Sequence, residues 1–271
     1  MPLPWISSKS HSGNDAEMIS GFQPGGAVHL WSTAISALED PEQTAAAWAV
    51  LSTSEKQQAG RFHFQRGQNA FLASRSLRRR ALSHYAAVDP GVWQFAVNEH
   101  GQPRIASPVL DETLEFSCSK SVDVVICAVT RGISVGVDIE RVDRRVPEGM
   151  AEAIFAPSER AALAALPQQE QGKRFFTYWT LKEAYLKARG LGLSLPLDPP
   201  AFSVADSPRR EGNLAFSVAN DYGEWHFTLL APSPSHIAAV CVRGHAGPAR
   251  QVVMRHLSPP KNSLMRGPRS S

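Results

Sequence analysis

The chain has only three cysteines among 271 residues, Cys118, Cys127 and Cys241. They are too few and too widely spaced for a zinc cage or a disulfide framework. Each is expected to be a small buried thiol. The sequence has no run of about 18 apolar residues, so no membrane-spanning helix is expected. The opening MPLPWISSKSHSGNDAE has no basic start followed by an apolar stretch. A secretory leader is therefore not expected, and the expected compartment is the cytosol. Nine histidines are present without an H-E-x-x-H pattern or another ligand spacing.

Acidic residues are missing from 246–271, which hold Arg250, Arg255, Lys261, Arg266 and Arg269 together with four prolines. The remainder of the chain carries 23 of the 28 basic residues against all 25 acidic ones. The net charge of +3 and the pI near 8.9 thus owe much to a tail whose composition predicts disorder. A solvated tail is the expected reading and nucleic-acid binding the rival one. Arg78-Arg79-Arg80 has no aromatic stacking platform beside it to strengthen that rival.

What is present is globular. Apolar residues make up 43% and charged residues 20%, enough apolar material for a core of one or two domains. Residues 1–26 read as a loose Gly/Ser/Pro leader and 27–35 as a strand. A helix over about 66–87 places Ala70, Phe71, Ser74, Leu77, Ala81, Leu82 and Tyr85 on one stripe, with Arg75 and Arg79 opposite. Arg78 falls inside the apolar stripe. Residues 92–97 and 104–106 read as a hairpin, and 122–129 as a central strand. Residues 133–140 form a second strand, with Val135, Val137 and Ile139 on one face and Gly136, Asp138 and Glu140 on the other. Ser158 is a candidate helix N-cap. A second long helix runs over 173–189 and stops at Gly190. Residues 190–200 read as a loop, and 213–219, 224–231 and 236–243 as strands. A long helix followed by strands thus occurs twice, which suggests two similarly built halves.

Two segments carry the chemistry. The period of two puts Asp138 and Glu140 side by side on one strand face, where two carboxylates repel unless a cation lies between them. Glu183 and Lys187 are spaced i,i+4 on one helix face. Hard oxygen ligands of this kind suit Mg²⁺, which commonly bridges to substrate phosphates. The same residues would also serve as a solvated strand face and an ordinary surface pair, worth about 0.2–0.5 kcal/mol. Gly132-Ile133-Ser134-Val135-Gly136 matches the G-x-S-x-G pattern, but its strand continues where a nucleophile elbow would turn.

GVDIE, followed some forty residues later by WTLKEAYLKARGLGL, resembles the signature of the 4′-phosphopantetheinyl transferase superfamily. The similarity is to the larger, surfactin-synthetase-activating type, built of two fused halves. It runs from about Ser54 to Val204 and includes RFHFQRGQNAFLASRSLRRRALSHY, WQFAVNEHGQP and FSCSKSVDVVICAVTRGISVGVDIE in the family's order. The resemblance implies an α+β fold of two pseudo-symmetric halves, each a small antiparallel sheet packed on a long helix. The expected division is 27–132 and 133–245, with 246–271 a disordered tail. A monomer is implied.

The resemblance also implies the reaction. Phosphopantetheine would pass from coenzyme A to a serine of an acyl or peptidyl carrier protein, and 3′,5′-ADP would leave. Asp138, Glu140 and Glu183 would hold Mg²⁺ on the pyrophosphate, and Glu183 would be the base. Lys187 would neutralise phosphate charge, with Lys182 nearby. Lys56, Arg61 and Arg75 would receive further phosphates, and Arg79 would support the fold. Trp179 is expected to pack in the core. The chain departs from the family at Lys120, which replaces a histidine that contacts coenzyme phosphate, and at Gln58, Gln102 and Arg78. Lysine still binds phosphate as a point charge. The set of metal and base residues is complete while the phosphate-binding set is thinned, so altered coenzyme affinity is expected. A non-catalytic coenzyme or carrier-binding module on the same fold is the rival reading. The carrier-docking surface is expected between 142 and 172.

Overall fold

Apolar periodicity becomes two layered halves in the computed structural model, which describes residue 19 and residues 26–190, 200–208, 214–218, 224–244 and 251–257. Strand β1 (Val28–Ala34) is followed by a 3₁₀ turn and helices α1 (Pro41–Ala49), α2 (Thr53–Ala59) and α3 (Gln65–Ser83). Then come β2 (Gln94–Val97), β3 (Pro103–Ser107), β4 (Leu114–Lys120), β5 (Val124–Arg131) and β6 (Val135–Arg141). Helices α4 (Met150–Ile154), α5 (Pro157–Ala164) and α6 (Gln168–Arg189) precede β7 (Phe202–Pro208), β8 (Leu214–Val218), β9 (Trp225–Ser233), β10 (His236–Arg243) and β11 (Val252–His256). Residues 191–199 of the predicted loop at 190–200, and most of the predicted leader, lie outside the described residues.

The first half carries a four-stranded sheet in the order β11-β1-β5-β4, and the second a three-stranded antiparallel sheet, β6-β10-β9. Side-chain alternation divides the interior into three cores. Val28, Leu30, Val124, Ile126 and Ala128 meet Val135, Val137, Ile139, Ala238 and Val240 between the two sheets. The outer face of the first sheet packs on α3 through Leu72, Leu77 and Cys127. The outer face of the second packs on α6 through Leu181, Ile237 and Cys241. The order helix, sheet, sheet, helix matches the α+β architecture of two halves.

Three expectations are corrected. Residues 252–256 are not disordered: β11 lies parallel to β1, with Val28 opposite Val252 and Ser32 opposite His256. Leu257 is buried in the α3-side core. β1 would otherwise be an open sheet edge, and β11, opened by the β-branched Val252 and Val253, satisfies its free backbone groups. The rest of the tail lies outside the described residues. Arg79, placed opposite the apolar stripe by periodicity, is 1% exposed. The Ser158 cap is replaced by Ala156, whose N–H donates to Glu159 Oε2 at 2.8 Å, with Pro157 opening the helix.

Arg78 and Arg79 are both buried because Glu55 is buried with them. Arg78 Nη2 lies 3.0 Å from Glu55 Oε1 and Arg79 Nη2 2.6 Å from Oε2. Arg79 also donates to the carbonyls of Pro90 and Trp93, at 3.1 and 2.6 Å. The Arg78 guanidinium stacks 3.6 Å above the Phe95 ring. Burial alone would raise the Glu55 carboxyl, but the Ser52 N–H, Arg79 and Arg78 outweigh it and hold it below its ordinary value. The same carboxylate closes a capping box with Ser52 at the start of α2.

Candidate active site

The two halves join where β4 lies against β6. The Ser117 hydroxyl accepts from the Val137 N–H at 3.1 Å. Two residues along, Ser119 donates to Asp138 Oδ1 at 2.7 Å. Gly136 sets the third side of the junction. A Cβ there would stand 1.9 Å from the Ala184 carbonyl and 2.3 Å from the Ala188 nitrogen. Only a residue without a side chain lets α6 lie this close to β6. The close approach brings Glu183 and Lys187 over the polar face of the strand.

Asp138 is 4% exposed. Its Oδ1 receives Lys187 Nζ at 2.7 Å as well as Ser119, while its Oδ2 is buried with no hydrogen-bond partner. Glu140 lies on the same face, taking the Trp179 indole N–H at 3.1 Å on Oε1 and Arg144 at 2.8 Å on Oε2. Burial, and then the neighbouring Asp138 charge, push the Glu140 carboxyl up to about 7. Burial and Asp138 raise Glu183 as well. Burial opposes the charge on Lys187, but Asp138, Glu183 and Glu140 outweigh it and hold that ammonium above its ordinary value. Three carboxylates thus face two cations, Lys187 and Arg144, with one oxygen left unpaired.

Beside them is a cavity of about 310 Å³, walled by the His100–Pro103 turn, Ser117, Cys118, Glu183 and Lys187. The β2–β3 turn is fastened to the end of α6. Gln102 Nε2 donates to the Lys187 carbonyl at 2.6 Å, and Asn98 Nδ2 to the Gly190 carbonyl at 2.7 Å. Gly190, at φ 73°, ends the helix in the left-handed region that glycine favours.

Asp138, Glu140, Glu183 and Lys187 are thus brought together. Arg75 pairs with Glu55 instead, its Nε 3.7 Å from Oε1, and is not one of the residues that wall the cavity. Lys56, Arg61 and Lys120 are exposed, Lys120 immediately after Ser119 at the end of β4. Lys182 is a correction. It is 1% exposed, with Nζ 2.9 Å from Glu159 Oε2 and 3.1 Å from the Pro200 carbonyl. One step along a helix turns a side chain by about 100°, so Lys182 enters the core while Glu183 faces the cavity. Trp179 packs against the core as expected, stacked on Phe175, and its indole N–H also holds Glu140. Ser117 and Ser119 were not foreseen. Their spacing of two on a strand was the available signal.

Among the described residues, no group of three or more His, Cys, Asp and Glu side chains stands ready as a metal cage. The unpaired Asp138 Oδ2 and the raised Glu140 and Glu183 nevertheless fit a hard divalent cation, which would relieve their mutual repulsion. The set suits phosphoryl chemistry, with cationic charge, a carboxylate of raised proton affinity and a cavity in one place.

Comparison with known proteins agrees over both halves. The family described as "4'-phosphopantetheinyl transferase superfamily" matches residues 134–241, and "4'-phosphopantetheinyl transferase, N-terminal" matches residues 39–131. The chain is 33% identical over 218 residues to 4′-phosphopantetheinyl transferase HetI of Nostoc sp., covering 80% of this chain and 88% of that one. It is 28% identical over 193 residues to 4′-phosphopantetheinyl transferase Sfp of Bacillus subtilis, covering 71% and 82%. It is 29% identical over 238 residues to a phosphopantetheinyl transferase of Thraustochytrium sp., covering 82% and 81%.

Proposed function

The chain belongs to the 4′-phosphopantetheinyl transferase superfamily and is an enzyme of that kind; we propose that it moves phosphopantetheine from coenzyme A to a serine hydroxyl of an acyl or peptidyl carrier protein. The observation that carries this reading is the unpaired Asp138 Oδ2, set among Glu140, Glu183 and Lys187 at the edge of a cavity. Asp138, Glu140 and Glu183 would hold Mg²⁺, which when bound supplies positive charge to the coenzyme's pyrophosphate. Ser119 fixes Asp138, and Trp179 and Arg144 fix Glu140, so the carboxylates are oriented before substrate arrives.

The chain's own residues do the rest. The carrier serine is a weak nucleophile and needs a base within hydrogen-bond reach. Glu183, raised by burial and Asp138, accepts its proton. The serine oxygen attacks the β-phosphorus, the bond to the bridging oxygen breaks, and 3′,5′-ADP leaves. Lys187 exchanges part of its contact with Asp138 for the developing phosphate charge. Lys120, Arg75, Lys56 and Arg61 are the cations proposed to receive the coenzyme's other phosphates. A monomer in the cytosol fits one chain that holds both halves of the site. No helix among the described residues is long and apolar enough to cross a membrane.

The test is the intact mass of several apo carrier proteins after incubation with the enzyme, coenzyme A and Mg²⁺. Gain of one phosphopantetheine, lost in Glu183→Gln and under chelation, is the expected result. No gain on any carrier, while a control transferase modifies them, would refute the reading in favour of a non-catalytic binding module.

A further inference from the structure

Cys118 and Cys127 are direct cross-strand partners in the antiparallel β4–β5 pair. Residues so placed point to the same face, and their Cα atoms stand about 4.5–5.5 Å apart. That spacing lies inside the roughly 4.4–6.8 Å that a disulfide spans. Both side chains face the core beneath α3. Their exposures differ. Cys127 is fully buried in the core beneath α3, whereas Cys118 is partly exposed and forms part of the cavity wall beside Glu183 and Lys187. Cys241, the third cysteine, is buried on β10 in the other half, packed on α6.

We infer that Cys118 and Cys127 form a peroxide-responsive dithiol, in which Cys118 is the attacking thiol and Cys127 the resolving one. The reaction balances without any other co-reactant. The Cys118 thiolate attacks one oxygen of hydrogen peroxide, the O–O bond breaks, and hydroxide leaves a sulfenic acid. The Cys127 sulfur then attacks the Cys118 sulfur, forming the disulfide. The departing hydroxide takes up the Cys127 proton, so two thiols and one peroxide become one disulfide and two waters.

The surroundings favour these roles. A hydrogen bond from Cys127, then Arg78, Arg75 and Lys187, outweigh burial and hold the Cys118 thiol below its ordinary value. The shared hydrogen bond and burial push the Cys127 thiol up, so it remains the donor until Cys118 is oxidised. Peroxide is small enough for the cavity, which Cys118 lines, whereas Cys127 is fully buried. The disulfide would fix the β4–β5 register beside Ser117 and Ser119, the two hydroxyls that anchor β6.

The experiment is read by mass and is independent of the transfer reaction. The folded, reduced chain is exposed to hydrogen peroxide, then denatured and alkylated. Uptake should fall from three labels to one, carried by Cys241. Trypsin should release the peptide 105–120 joined to 121–131, separable by a reductant. Cys118→Ala should keep both remaining labels under the same treatment. Three labels after oxidation, a sulfinic acid on Cys118 with Cys127 still alkylated, or a bridge that includes Cys241 would each overturn the inference.

Discussion

Replacing Gly136 with alanine adds one methyl group where none can be received. The new carbon would lie 1.9 Å from the Ala184 carbonyl, against the 3.4 Å at which ordinary contact begins, so α6 must rise by about 1.5 Å. Both obstructing atoms are helix backbone, and no rotamer change relieves them. Overfilling a packed core costs roughly 1–3 kcal/mol. With two rigid neighbours the upper end is expected, about 3 kcal/mol out of a total of some 5–15. The same lift would carry the 2.7 Å Lys187–Asp138 pair beyond contact. Urea unfolding of Gly136→Ala should therefore show a lower midpoint at unchanged slope. Transfer to a carrier protein should fall at least tenfold in the fraction still folded. Gly60→Ala is the control, because a Cβ there meets nothing nearer than 3.6 Å. Wild-type stability and activity in Gly136→Ala would refute the argument that this glycine sets the depth of α6.

Glu55→Ala should destabilise the chain by about 3–5 kcal/mol, since it leaves Arg78 and Arg79 buried without their counter-charge; chemical denaturation measures it. Because Glu140 titrates near 7 in the fold and near 4.5 unfolded, the native state binds the proton more tightly. Under chelation, stability should therefore be greatest below pH 4.5 as far as this group is concerned, and decline as pH rises through 7. Glu140→Gln should flatten that part of the profile, and an unchanged slope would contradict it. Lys120→His should lower the KM for coenzyme A with little change in kcat, and no improvement would count against a thinned phosphate set.

The face of β6 was legible because a period of two needs no partner to be read. Val135, Val137 and Ile139 enter the inter-sheet core, and Asp138 faces the site. The i,i+4 pair on α6 and its glycine stop were local signals too. What escaped was tertiary. Arg78 looks misplaced and Arg79 looks solvent-facing until Glu55, more than twenty residues upstream, is seen to share their interior. β4 was missed because FSCSK alternates small polar groups that face another strand. Lys182 was misassigned because a resemblance gives its neighbourhood, whereas helical phase decides which way it points.

The parallel strand β11 also bears on the order of assembly. During synthesis, β1 emerges more than two hundred residues ahead of the strand that flanks it. The first half cannot complete its sheet while the second is still being made. Closure of that long-range pair is expected to be the slow step, because its loop entropy is lost before distant contacts offset it. A ribosome-stalled chain ending before Val252 should hold α3 and β5 in place yet remain open to chaperones along β1.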